Sequence, residues 1–150
     1  MSLIVEVNSE DQPHAVAGDR LATAVRQVMA EAGIQAGEIS VAVVTDEQIH
    51  VLNRQYLDHD YPTDVLSFVL EHDGNRLDGE IIVSSDYARR ESERFGWTTA
   101  DELLLYVIHG SLHLVGYDDQ TPEAAQAMRA AEVRHLAQFG LEHRYDAAEG

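Results

Sequence analysis

The alternation of apolar and polar positions along the chain predicts an ordered run of strands and helices. Leu3-Ile4-Val5-Glu6-Val7-Asn8 opens as a strand, closed by a polar, proline-containing segment from Ser9 to Pro13. From Val16 to Ala32 the apolar residues Leu21, Val25, Val28 and Met29 recur at helical spacing, and Gly33 follows as a cap. Ile39 to Val44 reads as a second strand, and Thr45-Asp46-Glu47 then starts a helix with Ile49, Leu52 and Tyr56 on one face. The turn-rich stretch Asp58-His59-Asp60-Tyr61-Pro62-Thr63-Asp64 leads into a third strand, Val65 to Leu70, followed by turn chemistry at His72-Asp73-Gly74-Asn75. Glu80 to Ser84 is a fourth strand, running into a charged helix from Ser85 to Phe95.

Thr99-Ala100-Asp101-Glu102 has the makings of a helix start, with acids where the first backbone amides lack partners. The helix that follows, through Leu103, Leu104, Val107 and Ile108 to Leu114, is apolar on most faces, which predicts a central position. Gly116 can end it in the left-handed conformation, and Pro122 opens a last helix reaching roughly Phe139. The order strand, helix, strand, helix, two strands, three helices predicts an α+β fold, a mixed sheet of about four strands packed with helices. At 150 residues the chain fits one domain over 1–150.

Composition narrows the chemistry. Cysteine is absent, so thiolate nucleophiles, disulfides and cysteine-bound metals are excluded, and any metal must take nitrogen and oxygen ligands. The charge of −17, from 27 acidic against 10 basic residues, repels nucleic acid and anionic membranes at long range. All ten basic residues are arginine, and a local cluster of them remains compatible with that balance. With neither a basic-then-apolar leader nor an apolar run of about eighteen residues, a cytoplasmic protein without membrane association is expected.

The informative segment is His109-Gly110-Ser111-Leu112-His113-Leu114-Val115-Gly116-Tyr117-Asp118-Asp119. Histidines four apart on a helix project from one face and can direct ring nitrogens at a single point, as in helical zinc hydrolases. The glycine turn lets the chain fold back, so that Asp118 or Asp119 can supply a third ligand. The same pair could instead be core histidines, each donating to a nearby oxygen. In helical metalloproteases a glutamate general base follows the first histidine; here that position is Gly110, which argues against an ordinary metalloprotease.

The segment from His109 to Asp118 resembles the YbeY family of metal-dependent endoribonucleases implicated in ribosomal RNA maturation. Pro62-Thr63-Asp64-Val65-Leu66-Ser67-Phe68, Gly79-Glu80-Ile81-Ile82 and Leu52-Asn53 match in the same order and spacing. The resemblance implies an α+β fold with the site between the histidine-bearing helix and the sheet, at the end of that central helix. It implies one Zn2+ per chain, cleavage of single-stranded RNA at the 3′ end of the 16S ribosomal RNA, and the rRNA precursor and ribosomal small subunit as partners. Carried over, the metal ligands and catalytic residues are His109, His113 and Asp119.

Two positions depart from the family. Asp119 stands where the family has its third histidine, and a charged, harder oxygen donor opens the site to divalent metals other than zinc. Leu57 stands where the family carries an arginine, after Tyr56; Arg54, one turn earlier, is either a substitute or part of a solvated helix face. Asp64 and Ser67 are either cleft-facing or structural. His50, His59, His72, His135 and His143 read as solvated or incidental. Val65, Leu66 and Phe68 read as strand core, Trp97 and Tyr117 as packing residues, and Arg89, Arg90 and Arg94, interleaved with Glu91 and Glu93, as a solvated helix face. The leading reading is hydrolysis of RNA phosphodiesters; the alternatives are a metal hydrolase of a non-RNA substrate and a ribosome-associated factor with a structural metal.

Overall fold

A computed structural model describes residues 2–9, 18–57 and 64–143, the side chains of Tyr56 and Leu57 excepted. Expectations for Glu10 to Pro13, for a helix start at Val16 and for the turn from Asp58 to Thr63, His59 included, lie outside the described residues, as does the side chain of Leu57. The elements are β1 (Leu3–Asn8), α1 (Gly18–Glu31), β2 (Gly37–Val44), α2 (Asp46–Leu57), β3 (Val65–Asp73), β4 (Arg76–Ser84), α3 (Ser85–Phe95), α4 (Thr99–Leu114) and α5 (Pro122–Ala137).

The sheet has four strands in the order β1-β2-β4-β3, with β1, β2 and β4 parallel and β3 antiparallel to β4. This is the mixed α+β architecture that the element order predicts. β3 and β4 outrun their apolar segments because the hairpin ladder continues through polar residues, Glu71 to Asp73 opposite Asp78 to Arg76. Backbone pairing satisfies N–H and C=O groups whatever the side chain. The hairpin closes at Gly74, whose φ of 59° is the left-handed conformation the turn requires.

The period of two along each strand sorts side chains between two layers. Ile39, Val41, Val43, Ile81 and Val83 face the large core shared with α1 and α4. Leu66, Ile82 and the half-buried Phe68 face the other way, against Ile49 and Leu52 of α2. α4 is the central helix: it packs on α1, α3, α5, β3 and β4, and Leu103, Leu104, Val107 and Ile108 are 0% exposed. Its cap is one residue earlier than the sequence suggests, since the Thr98 hydroxyl accepts from Asp101 N at 3.0 Å. At α5 the Thr121 hydroxyl caps in the same way, accepting from Ala124 N at 3.1 Å, with Pro122 in the first position. No helix among the described residues is long and apolar enough to cross a membrane.

Gly110 is where α4 touches the sheet. A Cβ there would lie 2.8 Å from Ile81 Cγ2, 2.9 Å from Ser67 Oγ and 3.1 Å from Val65 Cγ2. The Ser67 hydroxyl also donates to the Gly110 carbonyl at 3.2 Å. Any side chain would lift the helix, and with it His109 and His113, away from β3 and β4. Gly110→Ala is therefore expected to lower stability by about 1–3 kcal/mol through overpacking, read as a lower urea midpoint with an unchanged m-value. An unchanged midpoint would mean that the helix can shift on the sheet without cost.

Candidate metal centre

α4 carries His109 and His113 in its final turns, and the way the helix ends decides what joins them. Gly116 N donates to the His113 carbonyl at 3.1 Å and Tyr117 N to the Leu112 carbonyl at 3.0 Å, with Gly116 at φ 105°. A side chain is strained at that φ, so glycine makes the reversal. The two aspartates after the turn then separate in role. Asp118 Oδ1 accepts from Gln120 N at 3.1 Å and serves the turn. Asp119 is the one whose carboxylate comes to the histidines: one ligand atom each from His109, His113 and Asp119 lie within 4.8 Å of one another.

The donor set fits a divalent cation. Two nitrogens on a tetrahedral zinc at roughly 2.0–2.1 Å are about 3.3 Å apart, and the Nε2 atoms of His109 and His113 stand 3.1 Å apart with the rings steeply inclined, at 75°. Metal ligation needs a neutral imidazole with its lone pair toward the cation. For His109 that tautomer is set from behind, because its Nδ1 lies 2.5 Å from Glu132 Oε2 and so carries the donated proton.

No motif in the sequence marks Glu132 as a site residue, and His143 reads there as incidental; the structure places both behind His109. Glu132, on α5, is 7% exposed, and its other oxygen accepts from His143 Nε2 at 2.7 Å, with His143 1% exposed. A signal existed. Met128, Ala131, Glu132, His135 and Leu136 form the buried face of α5, and a carboxylate inside such a stripe requires a partner. His135 is likewise buried rather than solvated, 3.4 Å from Glu31.

The titration of these groups follows from their burial and contacts. Burial works against charge on Glu132, but hydrogen bonds and charge from His109 and His143 outweigh it and hold the carboxyl down at about 2. Burial also works to lower the pKa of His109, yet the bond to Glu132 and the charges of Glu132, Asp64 and Asp119 bring the net shift upward. His113 moves down, first through burial and then through the neighbouring His109.

Two cavities meet at His109 and Asp64. One, of about 220 Å³, lies between α4 and α5 and is lined by Asp64, Tyr106, His109, Asp119, Arg129 and Glu132. The other, of about 350 Å³, runs along β3 past Ser67, Val69, His113 and Leu114. Asp64 is thus cleft-facing, and its Oδ1 also accepts from Val65 N at 2.8 Å. Ser67 lines the second cavity while bonded to the helix carbonyl. Arg54, exposed in the last turn of α2, lines neither.

The remaining candidates fall outside this centre. His72 is exposed, its Nε2 3.2 Å from the Gly74 carbonyl, and His50 is half-buried in α2. Trp97 packs on the core and donates Nε1 to Glu102 at 2.7 Å. Arg89 and Arg94 pair along α3 with Glu93 and Glu91 on its solvent side, but Arg90 departs from that reading and reaches Asp46 of α2 at 2.5 Å.

The family model described as endoribonuclease YbeY matches residues 6–140. The endoribonuclease YbeY of Rhodopirellula baltica is 41% identical over 124 residues, covering 81% of this chain and 64% of that relative. The endoribonuclease YbeY of Bacillus licheniformis is 38% identical over 156 residues, covering 94% of this chain and 98% of the relative. Among solved structures, the solution structure of TM1509 from Thermotoga maritima superposes with a TM-score of 0.56 at 26% identity, covering 99% of this chain and 95% of that one. With the motif segments, the mixed sheet and the family match running through most of its length, the chain belongs to the endoribonuclease YbeY family.

Proposed function

We propose that this protein is a metal-dependent endoribonuclease that cleaves single-stranded RNA in ribosomal RNA maturation, its activity carried by one domain. The observation that carries the reading is the convergence of His109, His113 and Asp119 within 4.8 Å at the meeting point of two cavities. The relatives' activity supplies the substrate class. At finer grain we assign one zinc per chain, the precursor 3′ end of the 16S ribosomal RNA as substrate, the small subunit as partner and the cytoplasm as compartment.

When bound, the cation supplies Lewis-acid polarisation of a phosphoryl oxygen and lowers the pKa of water. The chain supplies the rest. His109 and His113 offer ring nitrogens and Asp119 an oxygen. Glu132 holds the Nδ1 proton of His109, which keeps Nε2 directed at the centre. No helical glutamate is available as base, since Gly110 has no room for a side chain. We assign proton acceptance to Asp64, the carboxylate that lines both arms of the cleft. Those arms, one along β3 and one along α5, give an unpaired strand a path on either side of His109.

With zinc or another divalent cation, the purified protein is expected to cut a ribosomal RNA precursor, and His113→Ala to fall to the no-protein background. Equal cleavage by the two would remove the centre from the reaction. Glu132→Gln keeps the shape but gives up the charge that orients His109, so its metal affinity, measured by chelator competition, is expected to fall about 10–100-fold. An unchanged affinity with an intact circular dichroism spectrum would mean that the His109 tautomer is set by something else.

A further inference from the structure

Carboxylates crowd the cleft. Asp64, Asp119 and Glu132 all line the cavity beside His109, in a chain whose net charge is −17. A phosphodiester entering there meets repulsion from every side except where a cation faces it.

Arg129 is half-buried on α5, three residues before Glu132 and hence on the same side of the helix, and it lines the cavity with His109, Asp119 and Asp64. Among the described arginines it alone lines a cavity containing His109.

We infer that Arg129 seats a backbone phosphate of the substrate beside His109 and Asp119. The inference rests on the nuclease reading and deepens it, since it names the group that recognises the polyanion. The planar guanidinium offers two parallel N–H donors to two phosphate oxygens, which a lysine at the same place would not match. Its position on α5, the helix that also carries Glu132, ties substrate seating to the layer that orients the metal ligand. The strongly acidic surface is then compatible with RNA, because the recognising charge is local and faces the cleft.

The test uses metal-loaded wild type, Arg129→Ala and Arg129→Lys, with two readouts. Cleavage of a short single-stranded RNA gives KM and kcat, and fluorescence anisotropy with single-stranded DNA of the same length reads phosphate binding without the ribose hydroxyl. Arg129→Ala is expected to raise KM and weaken binding about tenfold, and to reduce the salt slope by about one single-strand phosphate contact, roughly 0.7. Arg129→Lys should restore the slope but only part of the affinity. Metal content should match wild type in both variants. If wild type cleaves while Arg129→Ala keeps its KM and salt slope, the assignment of Arg129 is overturned and the nuclease reading stands. Loss of metal from Arg129→Ala would overturn it too, making the guanidinium a support for Asp119. If wild type neither cleaves nor binds, the nuclease reading itself fails.

Discussion

Glu132 sits 7% exposed between α4 and α5, in surroundings where a lone carboxylate would be strongly disfavoured. It is tolerated because two imidazoles donate to it, His109 at 2.5 Å and His143 at 2.7 Å. Taking one member from a buried charged pair costs roughly 3–5 kcal/mol, so this contact holds α5 and the segment after it against α4. It also decides chemistry. With its Nδ1 proton committed to Glu132, His109 can offer only Nε2 to the cleft, where His113 and Asp119 meet it. One buried carboxylate thereby links the packing of the last two helices to the direction of a candidate metal ligand.

The opposite side of α4 is governed by volume. Gly110 lets the helix seat on Ile81, Val65 and Ser67, and Gly79 lets Leu114 close over β4 in the same way, since a Cβ at Gly79 would lie 3.1 Å from Leu114 Cδ2. In the sequence, glycine stands after His109 where helical metalloproteases have a glutamate. The structure supplies the reason: that position points into the sheet and not into the cleft, so a base there would be both sterically barred and misdirected. Asp64, the carboxylate that lines both cavities, stands instead at the start of β3.

Much of this was legible from residue pattern because it depends on local rules. The apolar periodicity marked α4 as central, the glycine after His113 marked the turn, and four-residue spacing put both histidines on one face. What escaped depends on contacts between distant segments. Glu132 and His143 are 23 and 11 residues from their partners in sequence, and no local rule pairs them. His135 and His143, near the end of the chain, looked solvated; burial by α4 and α5 is a tertiary fact. The choice between Asp118 and Asp119 turned on which carboxylate the turn itself consumed. The outer parts of β3 and β4 were missed because polar residues such as Glu71 and Arg76 extend a hairpin through backbone bonds alone. A net charge of −17 acts at long range and carries no information about which arginine lines the cleft.

X-ray absorption spectroscopy at the edge of the metal retained by natively purified protein, beside the same measurement on Asp119→Ala, tests the central claim most directly. The account predicts about one metal per chain in a mixed shell with imidazole scattering from two histidines and a light oxygen donor, and loss or rearrangement of that shell in the variant. Wild-type protein that takes up no stoichiometric metal on reconstitution, or a shell that Asp119→Ala leaves unchanged, would contradict it.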